Sequence, residues 1–140
     1  MKYLKSITEH INESIKITDY DHPNFIDGKV FTANGGKLII ARYSKDIPYS
    51  VIEAFVDEDK RRQGIAKSLM LEAIEHFKDG FVAQSSNIGS LKLAYNLGFR
   101  SFDEDLEIED YITSKERLEA NTSVNMASPS LIPYLDKYYG

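Results

Sequence analysis

The spacing of apolar residues changes several times along the chain, and each change marks an element. Leu4, Ile7 and Ile11 recur at helical spacing, so residues 3–14 predict a short helix. Residues 14–20 read as a strand, which D-H-P-N around Pro23 breaks. Two further strands, 29–33 and 37–43, flank N-G-G, a strong hairpin signal. After S-K-D-I-P, residues 49–56 are β-branched and aromatic enough for another strand. The period then lengthens. Ile65, Leu69, Ala73 and Phe77 follow at four-residue steps from Gly64, with Lys67, Glu72 and Glu75 on other faces, which predicts an amphipathic helix. Asp79-Gly80 ends it, 81–84 is a short buried strand, and 87–97 is a second helix with Gly98 as C-cap and Phe99 just beyond.

Residues 103–110, D-E-D-L-E-I-E-D, hold six carboxylates in eight positions. Leu106 and Ile108 alternate with Glu107 and Glu109, so the segment reads as an edge strand with Asp105, Glu107 and Glu109 along one acidic face. The last thirty residues are weakly patterned, with two prolines and the tyrosines Tyr134, Tyr138 and Tyr139. Strands, helix, strand, helix, strands is the order of a mixed α/β fold, one sheet layer with helices packed on it. No repeat or Gly/Ser/Pro linker divides the chain, so a single domain over 1–140 is expected.

Composition narrows the function. The 140 residues are 42% hydrophobic and 11% aromatic, as in a globular chain rather than a disordered one. With 17 Lys+Arg against 22 Asp+Glu the net charge is −5, which argues against a general nucleic-acid binder. There is no cysteine, which excludes disulfides, thiolate zinc sites and a cysteine nucleophile and fits a reducing cytoplasm. The opening M-K-Y-L-K-S-I-T-E-H has no apolar signal-peptide core, and no stretch reaches the length of a membrane helix. A cytoplasmic protein is expected, in which the sequons at Asn12 and Asn121 carry no glycan. His10, His22 and His76 lack metal-ligand spacing, so no metal is expected. There is no G-x-S-x-G elbow, and Ala66 and Arg61 stand where a Walker A loop needs glycines.

The informative stretch is V-D-E-D-K-R-R-Q-G-I-A-K-S, residues 56–68. A strand ends at Val56, and Arg61-x-x-Gly64-x-Ala66 opens a helix. Helix N-terminal amides with a glycine that allows close approach make an anion site, and Arg61 and Arg62 add positive charge; the chemistry implied is recognition of a pyrophosphate. Taken alone, the motif also fits a basic loop capping an ordinary helix. Twenty-three residues after Gly64 comes N-I-G-S-L-K-L-A-Y-N-L-G-F, from Asn87 to Phe99. Together these motifs, in this order and spacing, resemble the GNAT superfamily of acyl-CoA N-acyltransferases over residues 29–102.

The resemblance implies a mostly antiparallel central sheet flanked by helices and splayed at an acyl-CoA site, between the strand ending at Val56 and that at 81–84. It implies acetyl-CoA as co-substrate. The backbone amides of Arg62, Gln63, Gly64, Ile65, Ala66 and Lys67 would cradle its pyrophosphate, beside Arg61. The backbone of Phe55 and Val56 would pair with the pantetheine arm, the N–H of Val56 would polarise the thioester carbonyl, and Asn87 and Ser90 would face the cofactor. The catalytic candidates depart from the family pattern. The position of the usual tyrosine acid holds Ala94, with Tyr95 one step, about 100° of helix, further on. The positions of the usual glutamate base hold Ile52 and Ser50, and Glu53 is the only carboxylate of the strand, on the opposite face unless a bulge resets the register. The function implied is an N-acetyltransferase whose acceptor is a primary amine, on a small molecule or a protein, attacking directly in a ternary complex. A GNAT-fold binding or inhibitory module that acts through a protein partner is the alternative.

Overall fold

In the computed structural model, which describes residues 15–61, 64–102, 108–113 and 123–139, the hairpin signal falls where the sequence puts it. Asn34 and Gly35, with φ of 30° and 88°, form a two-residue turn between β2 (Asp27–Ala33) and β3 (Gly36–Arg42). Positive φ at both central residues belongs to the turn whose twist matches that of the flanking strands. Gly36 is thus already in β3. A Cβ there would lie 2.5 Å from Ile65 Cγ2 and 3.0 Å from Leu69 Cδ1, so this glycine lets a helix press against the strand backbone.

The chain divides into two compact units, residues 1–77 and 78–140. In the first, β1 (Lys16–Asp19), β2, β3 and β4 (Tyr49–Val56) pair in sequence order, every pair antiparallel. Helix α1 (Ile65–His76) buries Ile65, Leu69 and Ala73, the apolar row visible in the sequence. Phe31 of β2, fully buried, meets the rings of His76 and Phe77, and Leu38 and Ile40 of β3 complete this core. Fully burying each such side chain is worth about 1.5–3 kcal/mol. Charge pairs tie the strands together. Lys29 holds Asp19 across β1 and β2, and Arg42 grips Asp27 with two fingers, Nε to Oδ1 at 3.1 Å and Nη2 to Oδ2 at 2.9 Å. The Arg42 guanidinium also lies 4.5 Å from the centre of the Tyr49 ring.

The second unit is built on β5 (Phe81–Ser85), β7 (Val124–Ala127) and β6 (Arg100–Ser101), antiparallel, with β7 in the middle. Helix α2 (Ile88–Asn96) starts at Asn87, whose Oδ1 accepts from the Ser90 N–H at 3.1 Å. It ends in a Schellman motif: Phe99 N–H donates to Ala94 O at 3.0 Å and Gly98 N–H to Tyr95 O at 3.0 Å. That motif explains L-G-F, because it delivers Phe99 into the core against Phe81, ring centres 5.6 Å apart. Ser128 continues the β5 ladder from within the core. Its N–H donates to Phe81 O and its Oγ accepts from the Phe81 N–H, both at 2.9 Å.

One expectation is overturned here. Residues 108–110 are not strand: α3 (Ile108–Thr113) is helical, while residues 103–107 lie outside the described part. The period-2 reading rested on two apolar residues, and Ile108 also pairs at helical spacing with Ile112, the first buried and the second half-buried. Glu109 therefore lies on a helix and not on an acidic strand face, while Asp105 and Glu107 lie outside the described residues. The weakly patterned end contains β7, a short 3-10 turn (Ile132–Tyr134) and α4 (Leu135–Tyr139), with Tyr139 stacked on Phe102 at 4.8 Å. The expected helix at 3–14 lies outside the described residues.

Candidate functional site

The polarity of the β3–β4 pairing decides what the end of β4 presents. Asp57 N–H donates to Gly35 O at 2.7 Å, flanking the Gly36–Val56 pair, so that pair is of the non-hydrogen-bonded kind. Both backbone groups of Val56 accordingly point away from β3, and by alternation so do those of Ala54. Phe55 is the reverse. Paired with Lys37, its backbone faces β3, so it is not turned outward as the expectation of a pantetheine contact at Phe55 requires. The Phe55 side chain is 51% exposed and presents an apolar surface instead.

Strand β4 carries a bulge. Ile39 pairs with Glu53 but Ile40 with Val51, which leaves Ile52 as the extra residue. The bulge resets the alternation, so Glu53 shares a face with Ser50 and Phe55 and not with Val51. Glu53 Oε2 lies 3.3 Å from Lys37 Nζ, both side chains about half exposed.

Beyond Val56 the chain makes a 3-10 turn (Glu58–Lys60), closed by Lys60 N–H to Asp57 O at 2.9 Å. Arg61 then folds back, Nε donating to the Val56 carbonyl at 3.1 Å. That bond accounts for an arginine five residues after the strand end: it ties the loop to β4 and keeps a cation beside the turn. Arg62 and Gln63 lie outside the described residues. Gly64 caps α1 in the left-handed region, φ 76°, and a Cβ built on it meets nothing within 4 Å among the described residues. A glycine supplies no capping side chain, so the amides of Ile65, Ala66 and Lys67 open the helix without one. Positive φ, open space and uncapped amides make a cradle fit for a phosphate. Phe55, Val56, Arg61, Gly64, Ile65, Ala66 and Lys67 are thus gathered around one strand–loop–helix turn.

In the second unit Asn87 and Ser90 are exposed at the start of α2, linked by the capping bond. Ala94 is buried, in keeping with its place in the helix-ending motif. Tyr95 is elsewhere on the helix. Its ring lies under the Arg100 guanidinium, 4.1 Å from the ring centre, and borders a cavity with Lys92, Asn96, Glu109 and Ile112. Sequence reasoning missed that the Ala54 backbone is turned away from β3, whose signal is pairing parity, and the Arg61–Val56 bond, which has no signal beyond the arginine itself.

Among the described residues no three His, Asp or Glu side chains are grouped to hold a metal, and no helix is long and apolar enough to cross a membrane. His22 stacks on Tyr20 and accepts from the Asn24 N–H through Nδ1 at 3.1 Å, and His76 packs its edge on Phe31.

No protein-family model matches the sequence. No curated protein matches it either. Solved structures do. The ribosomal-protein-S18-alanine N-acetyltransferase from Escherichia coli is similar over 92% of this chain and 89% of its own, with TM-score 0.53 and 17% identity. A protein described as a streptothricin acetyltransferase, from Bacillus anthracis str. Ames and in complex with acetyl coenzyme A, is similar over 76% of this chain and 63% of its own, with TM-score 0.50 and 15% identity. A tandem GNAT protein from the clavulanic acid biosynthesis pathway aligns over 60% of this chain, with TM-score 0.48 and 22% identity, and the chain spans 31% of its length. This chain has a GNAT-like fold, similar to that of the two acetyltransferase structures it matches over most of its length.

Proposed function

We propose that the protein is an acetyl-CoA-dependent N-acetyltransferase that acylates a primary amine. The observation that carries this reading is the turn from β4 into α1, where outward Val56 backbone, Arg61 and the open Gly64 cradle stand in succession. Acetyl-CoA supplies an activated acyl carbon on a leaving thiolate. The amides of Gly64, Ile65, Ala66 and Lys67 hold its pyrophosphate, with the positive end of the α1 dipole behind them. Arg61, anchored on Val56, adds charge beside that site. The outward N–H of Val56 donates to the carbonyl oxygen as negative charge grows on it during attack, and the backbone groups of Ala54 bind the arm that leads to it.

In the reaction the amine nitrogen bonds to the acyl carbon, the carbon–sulfur bond breaks, and the nitrogen sheds a proton. An amine of pKa about 10.4 is neutral in only about one molecule in 2,500 at pH 7, a deficit of about 4.6 kcal/mol. Glu53 is the β4 carboxylate suited to receive that proton, directly or through water, because the bulge turns it onto the face of Ser50, one of the positions where the family pattern carries its base. Tyr95 is the weaker candidate for protonating the thiolate, since its ring is held under Arg100 at the α3-side cavity. A thiolate also leaves without an acid.

The test is thiol release from acetyl-CoA with a panel of amines. The two long structural matches act on a protein alanine and on streptothricin by their descriptions, so the panel spans peptide N-termini and aminated small molecules. Amine-dependent release that saturates in both substrates supports the reading. Stoichiometric capture of a protein with no release on any amine selects the binding module instead.

A further inference from the structure

The sheet brings one of the chain's own amines to the strand where acetyl transfer is proposed. Lys37 on β3 is the direct partner of Phe55 on β4, so the two side chains share a face. Glu53, two residues before Phe55, lies on that face too and is the diagonal neighbour of Lys37. The lysine spans the diagonal: its Nζ lies 3.3 Å from Glu53 Oε2. With both side chains about half exposed, such a pair adds little stability. Its consequence is chemical. Register sets Lys37 opposite Phe55, between Ala54 and Val56, whose outward backbone groups are the ones proposed to hold the pantetheine arm and the thioester. Lys29 also pairs with a carboxylate, Asp19, but it stands on β2, and β3 separates it from β4.

Acyl transfer to an amine asks for a base beside the nitrogen and an acyl carbon within its reach. Lys37 already has the first in Glu53. We infer that Lys37 is a self-acetylation site with Glu53 as its base, modified within one molecule when acetyl-CoA is bound and no acceptor amine is present. This inference rests on the acetyl-CoA reading given above. Nζ gives one ammonium proton to Glu53, bonds through its freed electron pair to the acyl carbon in place of the sulfur, and gives its second proton to the leaving thiolate. Glu53 then returns its proton to water. The acetylated side chain is an uncharged amide, which is no ion-pair partner for a carboxylate, so a single transfer leaves Glu53 without its cation.

The full chain incubated with acetyl-CoA and no amine, then digested and read by mass spectrometry, tests it. Lys45, an exposed lysine just past the far end of β3, is the internal reference for uncatalysed acetylation. Lys37 is expected to gain acetyl at least about tenfold faster than Lys45, at a fractional rate that saturates in acetyl-CoA and is unchanged when the protein is diluted about tenfold. Glu53→Gln is expected to bring Lys37 down to the Lys45 rate, with calorimetry showing acetyl-CoA affinity unchanged. Lys37→Arg is expected to lose the mark with no other lysine taking it up. Side-chain NMR of the protein without acetyl-CoA reads the pair itself: the Lys37 Nζ signal is expected to shift on Glu53→Gln and not on Asp19→Asn. Melting curves check that the variants are folded. Acetyl-CoA binding with Lys37 no faster than Lys45, a fractional rate that falls on dilution, selective acetylation that survives Glu53→Gln, or an Nζ signal indifferent to Glu53→Gln would each overturn the self-acetylation site and leave the acetyl-CoA reading standing. No binding of acetyl-CoA would overturn both.

Discussion

Gly64 separates a phosphate cradle from an ordinary helix cap. With φ at 76° and nothing within 4 Å of a built Cβ among the described residues, the cost of substitution there is conformational. For alanine in the left-handed region that cost is about 1–2 kcal/mol, or roughly 3–8 °C in Tm for a chain of this length. Asparagine tolerates the region better and should cost less. Binding follows a different logic. Either side chain projects into the space a pyrophosphate oxygen would take, so both should lose one or more charge-assisted bonds to the α1 amides, about 2–3 kcal/mol, or roughly 30- to 150-fold in acetyl-CoA affinity. Isothermal titration with acetyl-CoA, beside melting curves without it, reads the two effects separately. The order of stability should be glycine, asparagine, alanine, while both variants bind far more weakly than glycine. A Gly64→Asn protein that binds acetyl-CoA like the parent would refute the cradle.

Gly36→Ala puts a methyl 2.5 Å from Ile65 Cγ2, and overpacking of this kind costs about 1–3 kcal/mol, read as a lower midpoint in urea. Arg42 holds the Asp27 carboxyl below its usual value. A carboxylate depressed by folding stabilises above its unfolded pKa, near 3.9. That stability falls away as pH drops through the lower folded value, so the stability gap between the parent and Asp27→Asn should close below about pH 4 in urea melts. Ser128→Ala removes the buried hydroxyl that accepts from the Phe81 N–H, at a cost of about 1–3 kcal/mol by the same assay. If Glu53 takes the amine proton, Glu53→Gln should lower kcat about 10²-fold at pH 7 with acetyl-CoA affinity unchanged, and the loss should shrink as pH rises; a flat ratio across pH would leave Glu53 only its pairing with Lys37.

What the sequence made legible was whatever repeats locally. The Asn34-Gly35 turn, the four-residue rhythm of α1 and the L-G-F ending of α2 each follow from a local rule. The misses are where tertiary pairing decides. Strand β7 sits between β5 and β6, yet V-N-M-A has two apolar alternations and little β-branching to announce it. Ile108 satisfies a strand period and a helix period equally, and only its packing chose α3. In the candidate site, the strand end at Val56 and the start of α1 after Gly64 were readable, because a glycine ahead of a four-residue apolar rhythm marks where a helix opens. Which β4 residues turn their backbone outward was not, since that depends on register with β3, and the Ile52 bulge that reorients Glu53 has no signature in a run of β-formers.

The central claim is that the end of β4 and the start of α1 hold acetyl-CoA. Backbone amide NMR of the full chain, titrated with acetyl-CoA, examines it residue by residue. The account predicts saturable shifts that are largest at Gly64, Ile65, Ala66 and Lys67, with a downfield movement at the outward N–H of Val56 and little change at Phe55, whose amide faces β3. Saturation with those amides unmoved, or no saturation at millimolar acetyl-CoA, would contradict it.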